Sequence, residues 1–260
     1  MFQFGSAATA PEFVPDADSR DWLAEGLASL SARLGPAAQR PQLLTDPADV
    51  GVRNTPRDLD GLFDMICAVQ EVVGQEDVEL TLLEIDGRAP DLPKEYTSIG
   101  AANGKPLHTL HRAGEYLFVF APAVFKVREL LLGSIARELG RVALHRSGDL
   151  EQIEDLEAES ELAAITLGMG VWVANGAYIF EQACCGGGCG VDLRNIRTGL
   201  SLPEACYALA LDAKRKGLRR RSVIKHLEPT QKAAARKSWG HIGSAPPAAL
   251  AAAAEAKALR

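Results

Sequence analysis

Apolar residues recur at helical spacing in two stretches of the N-terminal third. Residues 16–34 carry leucine at 23, 27, 30 and 34, and the stretch ends at Gly35-Pro36. Residues 59–73 carry an apolar stripe at 62, 66, 69 and 73. Spacings of three and four place such positions on one side of a helix, so both stretches predict amphipathic helices.

Short segments rich in apolar and β-branched residues follow the second helix. The sequence VELTLLEI at 78–85 has the length and composition of a strand. Further strands are predicted at 41–45, 96–99, 107–110 and 116–120. Most of these segments are close together in the chain, so they predict a small antiparallel or mixed sheet.

The C-terminal half is predicted to be mainly helical. Residues 124–145 have helical periodicity. The segment 157–175 follows an acidic stretch, and its residues 161–175 are apolar on almost every side, which indicates a buried helix. A third helix is predicted at 201–214, with Ser201 as its N-cap. Shorter helices are predicted at 221–227 and 229–239. A small sheet followed by a helical half predicts the α+β class.

The length and composition favour one domain with two tails. The chain has 260 residues, of which 47% are hydrophobic and 24% charged, as in ordinary globular proteins. Residues 1–15 are predicted to form a flexible tail, 16–242 a single domain, and 243–260 an Ala-rich tail.

Charge and hydropathy argue against two classes of partner. The net charge of −6 makes nucleic acid an unlikely partner. No apolar run approaches the roughly 20 residues that span a bilayer, so no membrane partner is expected. The first residues have neither a basic region nor a long apolar core, so we expect no signal peptide and a cytoplasmic location.

The predicted central helix carries an altered metal-binding motif, RELGR, at 137–141. Arg137, Glu138 and Arg141 have the spacing of H-E-x-x-H, in which two imidazoles bind zinc and the glutamate is the general base. Arginine stands at both histidine positions here. A guanidinium group stays protonated and cannot bind zinc, so we expect no zinc at this motif.

Three segments in order resemble a bacterial family of zincin-type metallopeptidase-like proteins of undefined substrate. Members of that family carry an H-E-L-G-H helix, an apolar helix ending in G-L-G-V-F-x-A-N, and a segment ending in Y-A-L-A-L. This chain has RELGR at 137–141, GMGVWVAN at 168–175 and YALALDA at 207–213. The resemblance covers roughly residues 120–239 and implies a zincin-like fold.

The resemblance also implies a role for each position of the former site. Arg137 and Arg141 stand at the two histidine ligand positions, and Glu138 stands at the general base. The family's third ligand is a carboxylate seven residues before its G-L-G, and Glu161 stands seven residues before Gly168. The base and third ligand are therefore retained as vestiges, while both imidazoles are absent.

Two functions follow from this departure. The favoured one is a catalytically inactive metallopeptidase homologue, a pseudoenzyme that serves as a binding or scaffold protein for an unknown protein or peptide partner. The alternative is an active metallohydrolase with a non-standard metal site, built from His108, His145, Glu161 or the cysteines. His145 lies four residues beyond the second ligand position, about 6 Å along a helix.

The two arginines themselves allow two interpretations. They could be surface residues of an amphipathic helix, or they could face the former metal site and pair with Glu138 and Glu161. Charge favours the second, because two guanidinium groups supply the same +2 as a zinc ion. A buried carboxylate without a cation costs several kcal/mol, about 3–5 for a broken buried pair.

A glycine-rich segment at 184–190 offers a second metal site. It contains Cys184, Cys185 and Cys189, and Cys206 could supply a fourth ligand. Thiolates bind zinc well, and glycines let the backbone fold closely around a metal. The spacing C-C-x-x-x-C matches no common zinc knuckle, so reduced cysteines in a loop remain the alternative to zinc at this cluster.

Overall fold

The fold is described by a computed structural model that covers residues 13–85, 92–101, 105–148, 150, 153–177, 199–244 and 247. The helices are α1 (Ala17–Arg33), α2 (Pro36–Gln39), α3 (Leu59–Val73), α4 (Arg128–Ser147), α5 (Leu156–Ala164), α6 (Gly170–Gly176), α7 (Leu202–Arg215), α8 (Arg220–Ile224) and α9 (Pro229–Ser244). The strands are β1 (Leu80–Glu84), β2 (Thr97–Ser98), β3 (Leu107–Arg112) and β4 (Glu115–Phe120). Short 3-10 turns lie at Pro47–Val50 and Pro122–Lys126.

The four strands form one mixed sheet in the order β1-β4-β3-β2. Strands β3 and β4 form an antiparallel hairpin, in which Leu107 pairs with Phe120. Strand β1 lies parallel to β4, with Leu80 beside Tyr116. The predicted mixed α+β class is therefore confirmed, with the sheet preceding the helices α4 to α9.

Helix α4 is central because it packs on β3, on α5 and on α6. Its closest approach to α5 is at Gly140, where a Cβ atom would lie 2.1 Å from the carbonyl oxygen of Ser160. Only glycine fits there without moving a backbone, so the glycine of RELGR lets the two helices meet.

The predicted buried helix at 157–175 is interrupted. It consists of α5, a π-helical turn at Ile165–Met169, and α6. Gly168 has a φ of 97°, which side-chain-bearing residues rarely adopt, and this conformation turns the chain between the two helices. Apart from Thr166, residues 162–174 are apolar or glycine, so no charged position marks such a break.

The predicted strand at 41–45 is wrong, because these residues join no sheet. They run past the helix break instead. The backbone N–H of Leu44 donates to the carbonyl oxygen of Gly168 at 2.8 Å, and Nε2 of Gln42 donates to that of Leu167, also at 2.8 Å. The segment thus satisfies carbonyls that the π-helical turn leaves open.

The predicted tails lie largely outside the described residues. Within the described part of the predicted N-terminal tail, Pro15 is buried and Phe13 and Val14 pack against the core. Helix α9 runs to Ser244, two residues past the predicted domain end at 242. None of the described helices combines the length and apolar character needed to cross a membrane.

Candidate functional site

Both arginines of the RELGR motif are buried on α4. The side chain of Arg137 is 3% exposed and that of Arg141 is 0% exposed. The interpretation of two solvated surface arginines is therefore wrong. Because Gly140 brings α5 against this part of α4, the guanidinium groups point to the region between the helices, where they need anionic partners.

Arg137 forms ion pairs with two carboxylates. Its Nε lies 3.3 Å from Oε1 of Glu138, and its Nη1 lies 3.5 Å from Oε1 of Glu161. The other oxygen of Glu161 accepts a hydrogen bond of 2.8 Å from the backbone N–H of Leu200. Burial raises the pKa of Glu161, and the charge of Arg137 offsets this only in part. The expected pairing of Glu161 with one of the arginines is thus present.

Arg141 has a larger set of partners. Its Nη2 donates to Oε2 of Glu157 at 2.7 Å, and its Nη1 donates to the carbonyl oxygen of Ile99 at 2.6 Å. Its Nε lies 3.3 Å from Oε2 of Glu138. Glu157 was not predicted as a site residue, although it stands four residues before Glu161 and therefore shares its face of α5.

Lys105 adds a third buried cation that the sequence did not reveal. Its ammonium group pairs with Oε1 of Glu157, and its side chain is 4% exposed. Burial and the nearby charge of Arg141 lower the pKa of Lys105, whereas Glu157 opposes that change. Arg137, Arg141 and Lys105 thus face Glu138, Glu157 and Glu161, and we call these six residues the buried ion cluster.

Glu138 lies at the centre of this cluster with no exposed surface. Thr109 donates a hydrogen bond of 2.8 Å to its Oε2. Burial would raise the pKa of Glu138, but the charges of Arg141 and Arg137 outweigh burial and hold the pKa below its ordinary value. A general base must be free to accept a proton from water, and this carboxylate is engaged by three side chains.

His108 lies beside the cluster and is kept neutral mainly by its burial. Its Nδ1 is 3.3 Å from Nη1 of Arg141, and its Nε2 is 2.6 Å from the hydroxyl of Ser98. Burial lowers the pKa of His108 to about 4; Glu138 opposes this shift and Arg141 adds to it. His108 is thus an uncharged neighbour of the cluster.

The depressed pKa of His108 predicts a specific acid sensitivity. As the pH falls below 6.5, the unfolded chain binds a proton at this imidazole, while the native protein does so only near pH 4. Stability is therefore lost between these values, by roughly 3 kcal/mol in total. We expect His108→Gln to flatten the dependence of the free energy of unfolding on pH in this window, as measured by urea denaturation.

Thr109→Val provides the control, because it removes a contact of the cluster without removing a titrating group. Its stability should be lower than that of the parent, with an unchanged slope between pH 6.5 and 4. Parallel curves for His108→Gln and the parent would show that this imidazole does not control the acid sensitivity.

The histidines considered for a rebuilt metal site do not come together. His145 lies in a separate cluster, where its Nδ1 is 2.8 Å from the hydroxyl of Tyr116 and its ring centroid is 4.2 Å from that of His111. Only His108 is beside the buried ion cluster. Within the described ranges, no three or more histidine, cysteine or acidic side chains are grouped so as to hold a metal ion.

Of the four cysteines in the predicted zinc site, the structure describes only Cys206. Cys184, Cys185 and Cys189 lie outside the described residues, so zinc at this cluster stays a prediction. Cys206 is buried in α7, with its Sγ 3.6 Å from the carbonyl oxygen of Gln231 in α9. Burial raises the pKa of its thiol to about 12, so a thiolate ligand is disfavoured there.

The contacts of the buried ion cluster hold separate parts of the fold together. Its guanidinium groups have no lone pairs to offer a metal, and the carboxylates are paired with cations. The cluster connects α4 to α5, to Ile99 at the end of β2, and to Thr109 of β3.

Comparisons of the chain with known protein families, with curated proteins and with solved structures gave no match.

Proposed function

We propose that this chain is a catalytically inactive homologue of zincin-type metallopeptidases that acts as a binding or scaffold protein. One observation carries the proposal: the guanidinium groups at the two expected histidine positions are buried and paired with the expected base and third ligand. Arg137 contacts Glu138 and Glu161, and Arg141 contacts Glu138.

The residues at this site do not fit a zinc ion. A catalytic zinc site needs three lone-pair donors and an open position for water. Here two of the three donor positions carry cations, which repel a metal ion by Coulomb's law. With Arg137 and Arg141 at these positions, the site cannot hold a zinc ion to activate water. Glu138 would then have no zinc-bound water to deprotonate.

The same contacts support a scaffold role. Two guanidinium groups supply the charge that a zinc ion would have brought between α4 and α5, so the carboxylates stay compensated without a metal. A binding protein needs such a rigid core but no reactive centre. The partner is proposed to be a protein or peptide, consistent with a net charge that disfavours nucleic acid.

Metal analysis and a proteolysis assay test this proposal together. A variant with Cys184, Cys185 and Cys189 replaced by serine should contain no stoichiometric zinc and should not cleave an unfolded protein substrate when zinc is added. Bound zinc in that variant, with proteolysis that a chelator and Glu138→Gln both abolish, would instead establish the active metallohydrolase.

A further inference from the structure

A groove on the face formed by α1 and α5 is not used by the buried ion cluster. Two adjoining cavities of about 580 and 450 Å³ meet at Trp22 and Glu159, and both volumes are within the range of known ligand sites. We call the two together the Trp22 groove. Its polar walls include Asp18, Glu25, Glu154 and Glu204.

The described residues that line the groove carry more negative than positive charge. Arg33 is the one cation among the described lining residues, and its Nη2 donates to the hydroxyl of Ser147 and to the carbonyl oxygen of Gly148, both at 3.0 Å. Asp155 and Glu204 are engaged as helix caps by backbone N–H groups. Four acidic residues of the groove make no hydrogen bond through their carboxylates to the described part of the chain: Asp18, Glu25, Glu154 and Glu159.

Trp22 gives the groove an aromatic surface at its centre. Its side chain is 38% exposed, whereas Trp172 and Trp239 are 1% and 8% exposed. The face of an indole ring attracts cations, and Trp contributes strongly to interfaces. Glu159 stands where the two cavities meet, and burial raises the pKa of its carboxyl. The charge of Arg33 opposes this rise only in part and Asp155 adds to it, so a further cation beside Glu159 would be favourable.

We propose that the Trp22 groove binds an extended basic peptide segment, with a lysine or arginine side chain over Trp22 and its charged end between Glu154 and Glu159. The two cavities leave room for residues on both sides of that anchor. This assignment rests on the proposed binding role and names its partner by chemistry. Charge complementarity favours a cationic peptide over an anionic one.

The natural fluorescence of the protein offers a direct assay, because Trp22 is the exposed one of three tryptophans. The probe is a short peptide that alternates lysine and leucine, with a glutamate–leucine peptide as its comparison. We expect the basic peptide to change the emission saturably at low ionic strength, and added salt to weaken binding. The acidic peptide should give no change.

Paired variants test the location. Glu154→Gln with Glu159→Gln should weaken binding about tenfold, and calorimetry should show a similar loss for Trp22→Ala, as expected for removal of a cation–aromatic contact. Asp60→Asn with Asp64→Asn removes the same charge from the exposed face of α3 and should bind like the parent. Equal losses in both double variants would overturn the groove assignment and leave only non-specific charge.

Two further outcomes separate this inference from the proposed function. No change in emission at millimolar basic peptide would refute peptide binding at the Trp22 groove. The metal and proteolysis results would not be affected by that outcome. Mass spectrometry of the bound peptide after incubation with zinc reports on the other proposal. Cleaved peptide would refute the inactive homologue even if the Trp22 groove binds as proposed.

Discussion

Replacing Arg141 by methionine should lower the free energy of unfolding by about 3–5 kcal/mol, the scale for breaking a buried ion pair. The change leaves Glu157 and Glu138 without one of their cations and the carbonyl of Ile99 without its donor. Most of the loss is the cost of the carboxylates left uncompensated. Urea denaturation at neutral pH measures it, and the melting temperature should fall by roughly 10 °C.

Arg146→Met is the matched control on the same helix. Arg146 also pairs with a carboxylate, that of Asp77, but the two side chains are 39% and 64% exposed. Water screens such a pair, so its loss should cost less than about 1 kcal/mol. Similar losses in the two variants would mean that the buried ion cluster contributes no more than a surface pair.

Local signals in the sequence predict much of the helical framework. Helix α3 spans Leu59–Val73 as predicted, because its apolar stripe is bounded by the N-cap Asp58 and by Gly74 in the left-handed conformation. Helix α7 begins after the predicted cap, Ser201, whose hydroxyl accepts from the backbone N–H of Glu204. Caps and periodicity act within a few residues, so one sequence is enough to locate them.

Only some residues of the candidate site could be predicted from the sequence: those with the spacing of H-E-x-x-H on one helix, and Glu161, which the family resemblance implies. Glu161 was identified as a partner from its distance to Gly168 along the chain. Lys105 lies in the segment leading into β3, and His108 lies in β3 itself. Only in the folded chain does Lys105 meet Glu157 of α5 and His108 meet Arg141 of α4. No local pattern encodes such contacts, because they depend on how the sheet packs on the helix.

The largest difference between prediction and structure has a similar origin. The break at Gly168 depends on the backbone of residues 41–45, which are more than a hundred residues away in the sequence. The nearly continuous apolar and glycine residues at 162–174 correctly predict burial. They do not indicate which glycine adopts a left-handed conformation, because Gly168 does so where the distant Gln42 packs against it.

The double substitution Arg137→His with Arg141→His should create a zinc site. It removes two cations from beside Glu138 and Glu161 while the pair of Lys105 and Glu157 remains, so a zinc ion would restore the lost charge. Histidine is smaller than arginine and should not overpack the core. Two imidazoles and a carboxylate are the ligand set of a catalytic zinc site. We expect zinc binding by calorimetry and about 2.7 kcal/mol of stabilisation at a hundredfold excess over Kd.

Each single substitution should bind zinc weakly, because one guanidinium group would remain and repel the metal. The double variant Arg137→Gln with Arg141→Gln is the control, since it loses the same charge without gaining imidazoles. Zinc should stabilise the histidine pair and not the glutamine pair. If the folded histidine variant binds no zinc, Glu161 is not a third ligand, and the expected resemblance to metallopeptidases gives no support for a former metal site.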